Sequence, residues 1–133
     1  MFSTKEYGRC KVAHVYIVGN EVLMDIYTSM DKFIEGETIT YNDKLGCYTM
    51  TPKNNDKIVI TTHIVDTKDN FIKKAKAYGK RYGFHCYKAI YAEVLVANVL
   101  GGRHNKPNTP HGKGDVVTKY TRYEVKFGLC VTL

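Results

Sequence analysis

The sequence predicts an α+β fold, and three observations carry that reading. Alternating apolar and polar runs, punctuated by turn residues, fill the first half. One apolar stripe of helical period stands at 67–82, and two long runs rich in Tyr, Val and Ile follow it. The result is a mainly antiparallel sheet with one amphipathic helix near 67–82 and a long C-terminal hairpin. An OB-like barrel, with the helix between its third and fourth strands, accommodates this order, and so does an open sheet with the helix across one face.

Each element has its own signal. Lys11 to Val18 is rich in Val, Ile and Tyr, and Gly19 and Asn20 form a two-residue turn into Glu21 to Ser29, where Val22, Met24 and Ile26 share a face. Glu37 to Tyr41 and Cys47 to Thr51 make a shorter hairpin, with Gly46 supplying the left-handed residue of its loop. Pro52, Asn54 and Asn55 end that pattern, and Lys57 to Val65 is a β-branched run expected as a strand buried on both faces.

Asp66 and Thr67 are N-cap candidates for the helix, and Asp69 is an acid in its first turn. Phe71, Ala75, Tyr78 and Tyr82 make the apolar stripe, and Gly83 suits the left-handed residue that ends a helix. His85 to Leu100 is read as a strand, long enough to bend, because of its Tyr, Val and Ile content. Val116 to Leu133 is read as the last strand, with Tyr123, Val125, Phe127, Leu129, Val131 and Leu133 buried and Arg122, Glu124 and Lys126 wet. Between these two runs lies a Gly-, Pro-, His- and Lys-rich segment, 101–115, expected to be a mobile loop.

The chain has 133 residues and 44% hydrophobic content, which suits a single globular domain over 1–133 without staples. No stretch approaches the ~20 apolar residues of a membrane span, and the first residues lack the apolar core of a signal peptide. Cys10, Cys47, Cys86 and Cys130 contain no CxxC pair and are expected as free thiols in a reducing, cytoplasmic setting; two disulfides are the other arrangement an even count allows. The Lys-, Asn- and Tyr-rich composition suits a phage or other mobile-element protein.

Charge is divided unevenly. Residues 1–66 carry 7 Lys/Arg against 9 Asp/Glu, while residues 67–133 carry 13 against 4. A net −2 half beside a net +9 half can steer an anion to one side, although a lysine-rich surface also serves solubility alone. The candidate contacts follow. Lys73, Lys76 and Lys80 lie on the helix opposite its stripe, with Arg81 in its last turn, an arrangement fit for phosphates and more commonly an ordinary solvated face. In the 101–115 segment, Arg103, His104, Lys106, His111 and Lys113 are set among glycines whose backbone can approach an anion. Tyr120, Arg122 and Lys126 place a ring beside cations, the pattern on which a base stacks.

No metal site or cofactor is expected, since the Cys and His spacing matches no zinc pattern. The basic half holds only Asp69, Glu93, Asp115 and Glu124, thin support for metal-dependent phosphoryl chemistry. His85 and Cys86, being adjacent, face opposite ways on a strand and make a poor catalytic pair. The resulting expectation is a non-enzymatic binding module for an anionic ligand, chiefly nucleic acid held through its backbone. The rivals are a small-molecule protein that sequesters a nucleotide, and a virion or assembly protein, a homo-oligomer that uses 85–133 as an arm.

Overall fold

A computed structural model describes residues 8–53, 58, 61–83, 87–105, 113–128 and 130–131. It is a mixed α+β fold with an antiparallel-rich sheet curled into a half-barrel. The strands are β1 (Lys11–Val18), β2 (Glu21–Tyr27), β3 (Glu37–Asn42), β4 (Cys47–Pro52), β5 (Thr61–Thr67), β6 (Arg103–His104), β7 (Val116–Val117), β8 (Arg122–Phe127) and β9 (Cys130–Val131). The helices are α1 (Met30–Glu35), α2 (Lys68–Tyr82) and α3 (Tyr87–Leu100).

The main sheet has the order β5-β2-β1-β8-β7-β6, and β3-β4-β9 form a smaller one. The β1–β2 hairpin turns at Gly19 and Asn20 as its sequence predicts, and β1 then pairs in parallel with β8, so that Val12 faces Glu124 and His14 faces Lys126. Alternation along these strands divides the core. Ala13, Val15, Val22, Met24 and Val125 pack against Phe71 and Ala75 of α2 and against Leu95 and Val96 of α3. Val12 and Tyr27, on the other face, pack with Met30 and Phe33 of α1 and Met50 of β4. The sheet is therefore covered on both sides.

The helix expected at 67–82 forms with its expected ends. Thr67 caps it by accepting the Asn70 N–H, and Gly83 closes it at φ 74°. Tyr82, in the last turn of α2, departs from the expected stripe and is exposed. The short helix α1 has no counterpart in the sequence reading; Ser29 caps it by accepting the Lys32 N–H at 3.2 Å.

Three expectations fail. The run 85–100 is not a strand: its described part, from Tyr87 on, is the helix α3. Ile90, Tyr91, Ala92, Leu95, Val96 and Ala97 are all buried, since α3 is wedged against both α2 and the sheet. Burial on several sides erases the 3.6-residue pattern, and tertiary packing then overrides the strand preference of Tyr, Val and Ile. With α3 in place there is no long 85–133 hairpin. The described residues after 115 form the short strands β7, β8 and β9, broken by a turn at 118–121 and by Gly128 at φ 79°. Lastly, β5 is an exposed edge strand rather than one buried on both faces, because only β2 pairs with it.

The cysteines divide. Cys10 is a buried thiol outside any disulfide, but Cys47 is disulfide-bonded, its partner lying outside the described side chains, so the expectation of free thiols fails there. Wide sequence spacing hides such a bridge, because sheet pairing rather than chain distance brings sulfurs together. Among the described residues, no helix is long and apolar enough to cross a membrane.

Candidate functional site

Where β7 leaves β8, the main sheet has a notch. The two strands pair only at Val116 with Tyr123 and Val117 with Arg122. Asp115, the next residue back, bends into the gap. Its backbone N–H donates to Tyr123 O at 2.8 Å, and its Oδ2 accepts the Val125 N–H at 2.8 Å. A side chain thus takes the ladder bond that a longer β7 would have made.

This turn brings Asp115 against Glu124, with which its carboxyl shares a hydrogen bond. Lys126 lies two residues along β8 on the same face as Glu124, the face away from α2 and α3. Glu93, on α3, acts electrostatically on both Glu124 and Lys126. Its Oε1 is fixed 2.9 Å from His104 Nε2 on β6. Asn105 secures the approach to the notch: its N–H donates to Asp115 O at 2.8 Å, and its side-chain amide donates to Gly114 O at 2.9 Å.

The electrostatics are those of buried carboxylates beside a buried lysine. Glu124 is 2% exposed, and its pKa is pushed far above the carboxylate range, first by burial and then by the negative charge and hydrogen bond of Asp115. Burial also raises Glu93, against the opposing hydrogen bond from His104. Lys126 is 8% exposed, and burial lowers its pKa while Glu124, Asp115 and Glu93 pull it back up. Nearby, the buried Cys10 thiol is pushed up to about 11 by burial and by Glu124. Strongly perturbed acids beside a perturbed base, where strand pairing ends, are the physical mark of a candidate reactive site.

Among the described residues, no three His, Cys, Asp or Glu side chains are close enough to cage a metal ion. Asp115 and Glu124 are a two-carboxylate pair instead. Such a pair suits Mg²⁺, which keeps several waters and is bound through one or two carboxylates plus substrate phosphates.

The residues expected from sequence are scattered around this notch. Lys73, Lys76, Lys80 and Arg81 are exposed on α2, as the helical spacing implies. Arg103 is exposed on β6, but His104, its neighbour, is half-buried and engaged with Glu93. Lys113 is exposed, whereas Lys106 and His111 lie outside the described residues, as does the middle of the 101–115 segment. The two ends of that segment are structured: Arg103 pairs with Val117 and His104 with Val116. Tyr120 and Arg122 are exposed as expected. Lys126 is not on a wet face; the alternation along β8 is real, but β1 and the layer beyond cover both of its sides.

The sequence reading missed Glu93, Asp115 and Glu124 as a group. The signal available was an acid and a lysine two apart on one strand, with a further acid just across the preceding turn. Counted by composition the acids are few, yet three of the four in the basic half meet here. No known protein family, curated protein or solved structure matches the chain.

Proposed function

We propose that this chain is a divalent-cation-dependent phosphodiesterase acting on nucleic acid, with its reaction centre at the notch beside β8. The observation that carries this reading is the meeting of the Asp115 and Glu124 carboxyls beside Lys126 where the β7–β8 pairing ends, with Glu93 acting on Glu124 and Lys126 from α3. Two carboxylates pressed together in a poorly hydrated place repel one another, and a bound cation removes that cost. Asp115 and Glu124 would hold the cation, which would supply Lewis acidity at a phosphoryl oxygen and acidify a water. The Lys126 amine, on the same face as Glu124, would take the proton of that water as it attacks phosphorus and return it to the sugar oxygen that leaves as the P–O bond breaks. Glu93, held by His104 at 2.9 Å, would add its negative charge from the α3 side.

The basic half supplies the substrate's attraction. Exposed Lys73, Lys76, Lys80 and Arg81 on α2, with Lys113, Lys119 and Arg122 beyond, offer positive charge to a polyanion. The test is cleavage of end-labelled DNA and RNA, single-stranded and duplex, with Mg²⁺, with Mn²⁺ and with EDTA. Cleavage is expected with either metal, is abolished by EDTA, and is lost in Glu124→Gln and Lys126→Ala variants that remain folded by circular dichroism. Cleavage that survives both substitutions, or is absent under every metal condition, overturns the reading. The exposed lysine row of α2 favours a second reading, a non-catalytic nucleic-acid-binding module. That reading predicts salt-dependent binding without cleavage.

A further inference from the structure

The β7–β8 turn is unusually well fastened for a hairpin tip. Thr118 N–H donates to Thr121 O at 2.8 Å, the Thr118 hydroxyl donates to the same carbonyl at 3.1 Å, and that hydroxyl accepts the Thr121 N–H at 3.2 Å. The residues it lifts into solvent are Lys119 and Tyr120. Tyr120 is 87% exposed, more than any other large apolar side chain among the described residues. A ring held so far out gains nothing from the core, and both of its sides are open to a planar partner.

The ground on either side of the ring is concave and cationic. A depression of about 540 Å³ on one side is lined in part by Lys11 and Lys119. A second, of about 380 Å³, is lined in part by Arg9 and Arg122. Tyr120 and Thr121 belong to both, so the ring is the wall between them. Lys119 Nζ also lies 5.4 Å from the ring centroid, which adds positive charge at the ring itself.

We infer that Tyr120 is a base-stacking platform, that the two depressions take the phosphates on either side of the stacked base, and that the chain's substrate is single-stranded nucleic acid. The proposal deepens the phosphodiesterase reading and rests on it only for the link to cleavage. Inside a duplex each base is covered by its neighbours, so a lone protein ring can meet only an unpaired one. Stacking also accepts any base, while cations on both sides hold the backbone. Tyr120 stands in the turn that leads into β8, four residues before Glu124.

The test measures binding in EDTA, so that cleavage plays no part. The probes are a short single-stranded DNA carrying the fluorescent base 2-aminopurine and a blunt hairpin duplex of the same composition. The wild-type chain is expected to prefer the single strand and to quench its fluorescence. Tyr120→Ala should lose the quenching and about 5- to 100-fold of the affinity, while Tyr120→Phe retains both. Duplex affinity should be the same for all three. Equal single-strand affinity for the wild-type and Ala chains, or a wild-type preference for duplex, overturns the proposal. The two readings fail separately: Mn²⁺-dependent cleavage of duplex alone sinks the platform and leaves the notch, whereas Tyr120-dependent binding without cleavage sinks the notch chemistry and leaves the platform.

Discussion

Asp115 Oδ2 accepts the backbone N–H of Val125 at 2.8 Å, so one carboxylate both completes the sheet and faces Glu124. The two roles can be separated. Asp115→Asn keeps an acceptor oxygen for Val125 and loses the charge. It is expected to unfold in urea within about 1 kcal/mol of the wild type, and to lose both the thermal stabilisation by Mn²⁺ and nucleic-acid cleavage. Asp115→Ala also orphans the N–H and should cost about 1–3 kcal/mol more.

Stability should depend on pH and metal together. The pKa of Glu124, and to a lesser extent that of Glu93, is raised in the fold, so the folded state binds protons more tightly than the unfolded chain. Their contribution is complete below the ordinary carboxylate range and is lost as pH rises toward their elevated values. Thermal melts without metal should therefore weaken from pH 5 to pH 8, the span bracketed by those shifts. Mn²⁺ should restore stability at pH 8 and do little at pH 5, because it binds the deprotonated acids. Glu124→Gln should flatten both trends. A metal-free stability that rises over this interval and tracks neither substitution nor Mn²⁺ would contradict the assignment.

The second buried polar pair makes a stability prediction of its own. His14 Nε2 lies 3.0 Å from Gly128 O, and its Nδ1 lies against Glu37 Oε1 with both side chains fully buried. The carbonyl can only accept, so Nε2 carries a hydrogen and Nδ1 needs its partner. Glu37→Ala should cost about 3–5 kcal/mol in urea unfolding, as for a buried pair that loses one member. Glu37→Gln can donate to Nδ1 and should cost less than half as much. Equal losses would show that packing, not the polar pair, sets the value.

Gly79 tests whether α3 is the helix described above. In an exposed helix, Gly→Ala stabilises by about 1 kcal/mol. Here an added Cβ would run into the Tyr87 side chain, with Cγ at 2.8 Å. Gly79→Ala is therefore expected to destabilise, by about 1–3 kcal/mol, because the two helices must move apart. A stabilised variant would mean that α2 and α3 do not pack as they do here.

Salt dependence tests the proposed contact with a polyanion. Lys73, Lys76 and Lys80 are exposed along α2, where they can meet phosphates without reading bases. Replacing all three by Gln should weaken binding similarly for every sequence and flatten the slope of log K against log salt, by up to about 0.7 for each phosphate of a single strand that is no longer neutralised. An unchanged slope would place the phosphate-binding cations elsewhere.

Local chemistry was legible in the sequence wherever one face of an element is dry and the other wet. The Gly19 and Asn20 turn, the Thr67 cap, the Gly83 stop and the exposed cations of α2 each follow from a few neighbouring residues. The exposure of Tyr120 was legible too, from the polar side of the Val116 to Leu133 run beside Arg122, although the ring stands in a turn rather than on a strand. Tertiary structure decided what such patterns cannot express. Burial around much of α3 removes the contrast that marks a helix, so its Tyr, Val and Ile read as a strand. The alternation on β8 separates two faces without saying that a second layer covers the one bearing Glu124 and Lys126. The notch itself depends on where β7 stops pairing with β8, and on α3 and β6 arriving beside it. Glu93, Asp115 and Glu124 are distant in sequence, and only strand and helix packing puts their charges within reach of one another.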